Sequence, residues 1–244
     1  MLSEKNPLGV KAVLIDLDGT LLDTIHDLAE AANQMRMALG MGTLPVERIK
    51  SFVGKGIVNL VKRTLTNSQE IDPEPALLER ASAEYERQYM AVLTRDVLHF
   101  PGVEEGVRLM QEAGFYLACV TNKAERFTLP LLAASGLRPA FDLVVSGDTM
   151  VKKKPDPEPL LYAAEKFGVT PQEMVLIGDS VNDFQAARAA GCHVFIVPYG
   201  YNEGHDATLL PADAIVPGLV EAAKLLKNTG TKRGISHAQQ QSTP

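Results

Sequence analysis

Short, uninterrupted apolar runs are the feature that most constrains the fold of this 244-residue chain. Each run is bounded by polar residues or glycine, and the runs comprise residues 12–15, 116–120, 143–145, 174–177, 194–197 and, more weakly, 214–216. A strand that is apolar along its whole length is typical of a parallel sheet covered on both faces. Segments with helical spacing of apolar residues separate the runs, at residues 103–113, 160–167, 184–190 and 219–226. This alternation predicts an α/β fold with a doubly wound parallel sheet.

The stretch between the first and second runs breaks this rhythm, because it contains helical patterns and no convincing strand. One apolar face lies within residues 28–39 and is ended by Gly40, and further faces lie at residues 60–65 and 76–92. An all-helical insertion of about 70 residues is large enough to pack as a small separate domain.

We therefore predict three parts of the chain. Residues 1–24 and 95–230 form an α/β core, and residues 25–94 form an inserted helical domain. Residues 231–244 are polar and have little to bury, so we predict a disordered tail there.

The composition excludes several classes of protein. Hydrophobic residues make up 45% and charged residues 22% of the chain, which is typical of a globular protein. The formal net charge of −6 and the absence of tryptophan argue against a nucleic-acid partner. Cys119 and Cys192 have no metal-binding spacing, and no apolar stretch is long enough for a signal peptide or a membrane span. We expect a cytoplasmic protein with no membrane partner.

Polar clusters lie at, or just after, the carboxyl ends of predicted strands, which is where open α/β sheets bind ligands. They comprise residues 16–20, 121–123, 152–157 and 178–183. In the first cluster, Asp16 and Asp18 point to the same side of an extended segment. Two carboxylates directly after a buried strand are costly to bury unless a cation binds them or one of them is protonated. In such a pair, one carboxyl group can be ionised while the other holds a proton. An ordinary Asp-Gly turn is the alternative interpretation.

The other clusters also have a chemical and a structural interpretation. Thr121 and Asn122 are able to hold an anion or to cap a helix. Lys154 lies in a basic loop that would ordinarily be solvated, although the adjacent prolines fix the backbone and could aim one ammonium inward. Asp179 and Asp183 are able to cap the following helix or, as hard oxygen donors, to bind Mg²⁺. Each cluster is a weak to moderate indication of a functional site by itself. Because they occur in this order and all at strand ends, together they strongly indicate one.

The sequence resembles the haloacid dehalogenase superfamily of phosphotransferases in all of these clusters. The matching motifs are Asp16-Leu17-Asp18-Gly19-Thr20, Thr121, Lys154 with Pro155, and Gly178-Asp179 with Asp183. The helical insertion lies where this family carries a helical cap. The resemblance narrows to the bacterial phosphoglycolate phosphatases through residues 53–56, 60–63, 100–103, 120–123 and 198–204. The polar tail after Lys227 is a departure from that pattern and affects no catalytic residue.

The resemblance implies a Mg²⁺-dependent phosphatase. Asp16 would be the nucleophile that forms an aspartyl-phosphate, and Asp18 would act first as general acid and then as general base. Mg²⁺ would be held by Asp16, the main-chain carbonyl of Asp18 and Asp179, with Asp183 among the ligands or just behind them.

The resemblance also implies which residues bind the substrate. Thr121, Asn122 and Lys154 would donate hydrogen bonds to the phosphoryl oxygens. The expected substrate, 2-phosphoglycolate, carries a carboxylate, and Lys55 and Arg63 in the cap are the candidate cations for it. The alternative for both is an ordinary charge on the surface of a helix.

Other functions remain open at this stage. A phosphatase of sugar phosphates or pyrophosphate, or a phosphosugar mutase, would use the same motifs. A dehalogenase is disfavoured, because halide displacement does not need the acid at Asp18. A non-catalytic phosphate- or Mg²⁺-binding regulator would not require the pair of Asp16 and Asp18, and no GxGxxG motif supports a dinucleotide-binding dehydrogenase. We expect a monomer or a homodimer.

Overall fold

The computed structural model describes residues 2–230. Its strands are β1 (Leu8–Val10), β2 (Ala12–Ile15), β3 (Tyr116–Val120), β4 (Leu143–Val145), β5 (Met174–Gly178), β6 (His193–Ile196), β7 (Ala214–Ile215) and β8 (Leu226–Asn228). Six of them form one sheet in the order β4-β3-β2-β5-β6-β7, and all neighbouring pairs are parallel. The predicted α/β fold is confirmed, and each apolar run forms a strand.

The central strand shows why the apolar runs are uninterrupted. All the residues of β2 are fully buried. Because successive side chains of a strand point to opposite faces, Val13 and Ile15 pack into one hydrophobic cluster, whereas Ala12 and Leu14 pack into another on the other face of the sheet. A strand with a core on both faces has no solvent side, so polar residues do not alternate along it.

The insertion after β2 contains helices and no named strand among its described residues. These helices are α1 (Ile25–Ala38), α2 (Val46–Lys50), α3 (Ile57–Thr66) and α4 (Pro75–Val92). The helix α1 packs against α4, α2 and α3, and α3 also packs against α4. The hydrophobic cluster on one face of the sheet continues into this insertion, where it includes Met35 and Tyr85. The separate domain of residues 25–94 stays a prediction.

The second half of the chain alternates as predicted, with differences at two places. Its helices are α5 (Val103–Glu112), α6 (Glu125–Ala134), α7 (Glu158–Phe167), α8 (Val181–Ala190) and α9 (Leu219–Lys224). The predicted helix at residues 219–226 was too long, because Leu226 begins β8, which pairs in parallel with β1 at the start of the chain. The helix α6, which contains Pro130, was not predicted. The predicted tail at residues 231–244 lies outside the described residues.

The order of the strands creates a crevice at the end of β2. From β2 the chain continues to β3 and β4 on one side, and it then crosses to β5 on the other side. Ligands bind in α/β sheets at such a reversal, outside the carboxyl ends of the strands. The residues that follow β2, β3 and β5 therefore converge on one site.

Candidate active site

A buried lysine lies among carboxylates at the centre of the site. Lys154 Nζ lies 2.9 Å from Oδ1 of Asp16 and 2.6 Å from Oδ1 of Asp183, and it donates to the carbonyl of Val120 at 2.7 Å. The Lys154 side chain is 2% exposed. Burial would by itself lower the pKa of Lys154, but the two carboxylates raise it above its ordinary value. Lys154 therefore carries a positive charge that its neighbours neutralise.

Asp16 is the carboxylate that immediately follows β2. Its burial raises its pKa to about 7, an effect that the charge of Lys154 opposes and that the charge of Asp183 increases. Among residues 2–230, no donor makes a hydrogen bond of good geometry to its buried Oδ1. The ion pair with Lys154 Nζ at 2.9 Å offsets part of the cost of burying this oxygen, and a bound metal ion would offset more of it.

Asp179 and Asp183 complete a group of buried acids. One oxygen from each of these two residues and one from Asp16 lie within 4.8 Å of one another. Asp179 accepts from Thr20 Oγ1 at 3.0 Å and from the Tyr201 main-chain N–H at 2.6 Å. Burial, and then the charges of Asp183 and Asp16, raise the pKa of Asp179 well above its ordinary value. Three buried hard oxygens in this arrangement are able to hold Mg²⁺.

Glycines allow the loops to close tightly around Asp179. Gly19 has a φ of +87°, and a Cβ at this position would lie 2.4 Å from Oδ2 of Asp179. A Cβ at Gly200 would lie 2.2 Å from the same oxygen. Residues with a side chain at either position would displace this carboxylate, so both glycines are needed for the shape of the site.

Asp18 is held by two donors and faces the same cavity as Asp16. Lys123 Nζ lies 2.9 Å from Oδ1 and 2.8 Å from Oδ2 of Asp18, and Thr24 Oγ1 donates to Oδ1 at 2.7 Å. Lys123 is 3% exposed, and its ammonium lies 4.9 Å from the ring centroid of Tyr89 on α4. The contacts of Lys123 thus link the end of β3, the loop after β2 and the helical insertion.

Thr121 and Asn122 follow β3 and also line this cavity. The Asn122 amide donates one hydrogen bond to the carbonyl of Gly54 at 2.9 Å and one to the carbonyl of Lys154 at 2.8 Å. Because a side-chain amide has two N–H donors, this amide is fully used in joining two loops. Asn122 can therefore donate to a phosphate only through its main-chain N–H, which the sequence prediction did not distinguish.

The cavity has a charged floor and an apolar wall. Its floor includes Asp16, Asp18, Lys154 and Asp179. The apolar residues that face them come from the helical insertion: Leu28, Val53, Ile57 and Leu60. The site thus combines charged groups suited to a phosphate with apolar side chains from the insertion.

The predicted cap cations lie elsewhere. Arg63 Nη2 lies 3.3 Å from Oε2 of Glu203, and Lys55 Nζ lies 3.6 Å from Oε1 of the same residue. Arg63 also donates to the carbonyl of Phe52 at 3.0 Å. Neither cation is among the residues that line the cavity. Their contact with a substrate stays a prediction, and in this structure both pair with a carboxylate of the loop after β6.

The sequence analysis assigned no role to some residues that shape the site. Lys123 and Glu203 were noted only as parts of longer motifs, although both are buried charges. Tyr201 was noted in the same way, and its hydroxyl donates to Oδ1 of Asp23 at 2.5 Å and accepts from the Ile25 N–H at 3.1 Å. The sequence signal for Lys123 is its position directly after Thr121 and Asn122 at a strand end.

The sequence model of the haloacid dehalogenase-like hydrolases matches residues 13–197. This match covers nearly all of β2, the strands β3 to β6, and the acids Asp16, Asp18, Asp179 and Asp183. The chain belongs to the haloacid dehalogenase-like hydrolases, as its motifs predicted.

Within that family, the chain is similar to bacterial phosphoglycolate phosphatases. The enzyme of that name from Nitrosospira multiformis is 59% identical over 223 residues, which are 91% of this chain and 98% of the relative. The one from Thiobacillus denitrificans is 52% identical over 220 residues, which are 90% of this chain and 97% of the relative. The predicted resemblance and the predicted enzyme class, phosphoric monoester hydrolase, are confirmed.

Solved structures show the same fold. A protein of Haemophilus somnus, described as a predicted phosphoglycolate phosphatase, has a TM-score of 0.84 and 28% identity, with 88% of this chain and 97% of that chain covered. The CbbY protein of Rhodobacter sphaeroides, solved in complex with phosphate, has a TM-score of 0.74 and 26% identity, with 88% and 99% covered. No described helix is long and apolar enough to cross a membrane.

Proposed function

We propose that this protein is a Mg²⁺-dependent phosphatase that hydrolyses 2-phosphoglycolate to glycolate and phosphate through an aspartyl-phosphate. The observation that carries the proposal is the buried ammonium of Lys154 between Asp16 and Asp183, at the floor of a cavity that Asp18 also lines. The activity by which the Nitrosospira multiformis relative is named supports the choice of substrate.

The group of acids fits a magnesium ion. Asp16 has a buried oxygen without a good hydrogen bond from the described residues, and its neighbours Asp179 and Asp183 supply hard oxygens. When bound, Mg²⁺ would offset negative charge on the transferring phosphoryl group. Asp16 and Asp179 would hold it, with the main-chain carbonyl of Asp18 as the further ligand that the resemblance implies. Both oxygens of Asp183 already accept hydrogen bonds, which suits a position behind the direct ligands.

Asp16 would attack the phosphorus of the substrate. The bond between phosphorus and the Asp16 oxygen forms as the bond to the leaving oxygen breaks, which divides one difficult hydrolysis into two easier steps. The nucleophile must be ionised, and burial raises its pKa to about 7. The adjacent charge of Lys154 lowers that pKa and so favours the reactive form.

Asp18 would donate a proton to the leaving oxygen and later accept one from the attacking water. The hydrogen bond from Thr24 and the contact with Lys123 hold its carboxyl group in one orientation, facing the cavity. A fixed orientation matters because proton transfer requires a heavy-atom separation of about 2.6–3.2 Å.

The phosphoryl oxygens would be bound at the end of β3. The Thr121 hydroxyl and the main-chain N–H of Asn122 are the donors that we assign to them, and Lys154 adds a positive charge below. Preorganised donors of this kind stabilise the charge that develops in the transition state.

A phosphate-release assay with and without Mg²⁺ tests this proposal. The substrates should include 2-phosphoglycolate, several sugar phosphates, pyrophosphate and nucleoside monophosphates. We expect Mg²⁺-dependent release with the highest kcat/KM for 2-phosphoglycolate. Release from sugar phosphates but not from 2-phosphoglycolate would contradict the substrate while leaving the mechanism in place, and no release from any of them would favour a non-catalytic binding protein.

The sugar-phosphate phosphatase and the phosphosugar mutase remain the second candidates. The first would take the same steps with another substrate, and the second would differ only in that a sugar hydroxyl, not water, accepts the phosphoryl group from Asp16. The apolar side chains that the insertion contributes to the cavity offer no hydrogen bonds to the hydroxyls of a sugar. The cytoplasmic location and the monomeric or homodimeric state stay predictions.

A further inference from the structure

We propose that Lys123 is the specificity-determining cation of this site, and that it binds the carboxylate which the leaving group carries next to the ester oxygen. This inference rests on the proposed function and deepens it. It assigns recognition of the second anionic group of the substrate to a core residue, where the sequence analysis expected Lys55 and Arg63 of the insertion.

In the proposed mechanism the leaving oxygen lies beside Asp18. If Asp18 protonates the leaving oxygen, that oxygen lies about 2.6–3.2 Å from the Asp18 carboxyl group. Lys123 Nζ lies 2.8 Å from Oδ2 of that same carboxyl group. The leaving oxygen and the ammonium are thus neighbours of one carboxyl group. A carboxylate that is one carbon away from the leaving oxygen comes within ion-pair reach of Lys123.

The two buried ammonium groups also differ in their partners. An ammonium has three N–H donors. Lys154 Nζ donates hydrogen bonds to Asp183 and Val120 and forms an ion pair with Asp16, so three acceptors lie around it. Within residues 2–230, the hydrogen bonds of Lys123 Nζ go to the two oxygens of Asp18 alone. The third N–H of this ammonium, which lies 4.9 Å from the Tyr89 ring centroid, has no oxygen partner among these residues, and we assign it to a substrate oxygen in the cavity that Lys123 lines.

The cations of the insertion have another partner. Arg63 and Lys55 both pair with Glu203, and neither lines the cavity. Arg63 and Glu203 are 6% and 8% exposed at their side chains, so this pair is buried and has little freedom to exchange partners. Lys123 and Lys154 are the lysines that line the cavity, and no described arginine does.

The cavity also has an apolar part. Leu28, Val53 and Leu60 of the insertion line it, and we place the carbon chain of the leaving group against them. In a leaving group that is a short carbon chain ending in a carboxylate, the carboxylate would contact the cation and the carbon chain would contact the apolar side chains. A polyhydroxylated leaving group would lose hydrogen bonds to water at these side chains without replacing them, which disfavours its binding.

The test compares an acid with its neutral counterpart. The kcat/KM values for 2-phosphoglycolate and for its amide, 2-phosphoglycolamide, should be measured for the wild type, Lys123→Met, Lys55→Met and Lys166→Met. Lys166 is the matched control, because it is an exposed lysine whose ammonium lies 5.1 Å from a tyrosine ring centroid, that of Tyr162, outside the site. We expect Lys123→Met to lower the preference for the acid over the amide by about 10- to 100-fold, the effect of one hydrogen bond to a charged group.

The outcomes separate this inference from the proposed function. An equal loss for both substrates in Lys123→Met would show that Lys123 acts on Asp18 or on the fold alone and would overturn the inference. A selective loss of the acid in Lys55→Met instead would also overturn it. If the wild type releases phosphate from other esters but not from 2-phosphoglycolate, the proposed substrate is wrong, and this result is distinct from a failure of the Lys123 inference.

If Lys123→Met hydrolyses both substrates too slowly for kcat/KM to be measured, binding affinity can be measured instead. The affinities of both compounds should be measured by calorimetry for Asp16→Asn and for Asp16→Asn combined with Lys123→Gln. We expect the added substitution to weaken binding of the acid more than that of the amide. Equal weakening of both, with an unchanged unfolding transition, would contradict the inference.

Discussion

The ammonium of Lys154 lies 2.9 Å from Oδ1 of Asp16, and both residues are buried at the end of the central strand. Since the same ammonium also contacts Asp183 at 2.6 Å, it neutralises charge that the fold would otherwise leave isolated. Lys154 therefore contributes to the stability of the protein as well as to its proposed chemistry.

Replacement of Lys154 by methionine should destabilise the metal-free protein. Removing one partner of a buried ion pair costs about 3–5 kcal/mol, and here two carboxylates lose their cation. Urea unfolding in the presence of a chelator measures this effect. The control is Lys152→Met, an exposed position in the same loop, which should change the free energy of unfolding far less. Equal stability of the two variants would contradict this role of Lys154.

The stability of the metal-free protein should depend on the protonation of Asp16. Burial raises the pKa of Asp16 to about 7 in the folded state, whereas the unfolded value is about 4. The folded protein thus binds the extra proton, so this contribution to stability is complete below about pH 4 and is lost as the pH rises through about 7.

Asp16→Asn removes this titrating group and also the charge that helps to raise the pKa of Asp179, so the comparison with the wild type reports on both acids. Between pH 5 and pH 8, the free energy of unfolding of the metal-free wild type should fall relative to that of Asp16→Asn. Mg²⁺ should raise the stability of the wild type more at pH 8 than at pH 5, since it binds the ionised carboxylate. A difference between the two proteins that stays constant across this range would show that Asp16 does not titrate there.

Replacement of Glu203 by glutamine should loosen the contact between the helical insertion and the core. Arg63 would keep its charge in a buried position without its carboxylate partner, and the loss is expected to be about 3 kcal/mol of stability. Glu84→Gln is the control, because Glu84 pairs with Arg87 at the surface and such pairs contribute little. If both variants unfold at the same urea concentration, the buried pair is not a major source of stability.

The convergence of three proposed site residues could be predicted from the sequence for a physical reason. Asp16, Thr121 and Asp179 follow β2, β3 and β5 at or directly after the last strand residue, and parallel strands place their carboxyl ends at one edge of the sheet. The order of the apolar runs along the chain was therefore enough to predict that these residues lie close together.

The contacts between the insertion and the core could not be predicted in this way. Arg63 and Glu203 are 140 positions apart and belong to elements whose mutual orientation depends on packing. The pairing of Lys123 with Asp18, 105 positions away, depends on side-chain direction at the strand end. The strands β1 and β8 are three residues each and pair across nearly the whole chain, which leaves no local pattern for a sequence analysis to find.

Asp16→Asn should fold normally and release no phosphate. The amide keeps the size of the side chain but is not a nucleophile, so the loss should affect kcat for every substrate that the wild type hydrolyses. Phosphate release by the purified variant, with its circular dichroism spectrum as the control for folding, checks this prediction. Turnover near the wild-type rate would exclude Asp16 as the nucleophile.

Asp18→Asn tests the covalent mechanism most directly, because it should separate the formation of the aspartyl-phosphate from its hydrolysis. An aryl phosphate such as 4-nitrophenyl phosphate needs little help from an acid, so the first step should proceed while the second lacks its base. The measurement is the release of nitrophenolate after rapid mixing with Mg²⁺, followed by acid quenching and mass spectrometry of the peptide that contains Asp16. We predict a burst of one nitrophenolate per protein molecule and a phosphoryl group on Asp16. Steady release at the wild-type rate, with no phosphoryl group on Asp16, would contradict the mechanism.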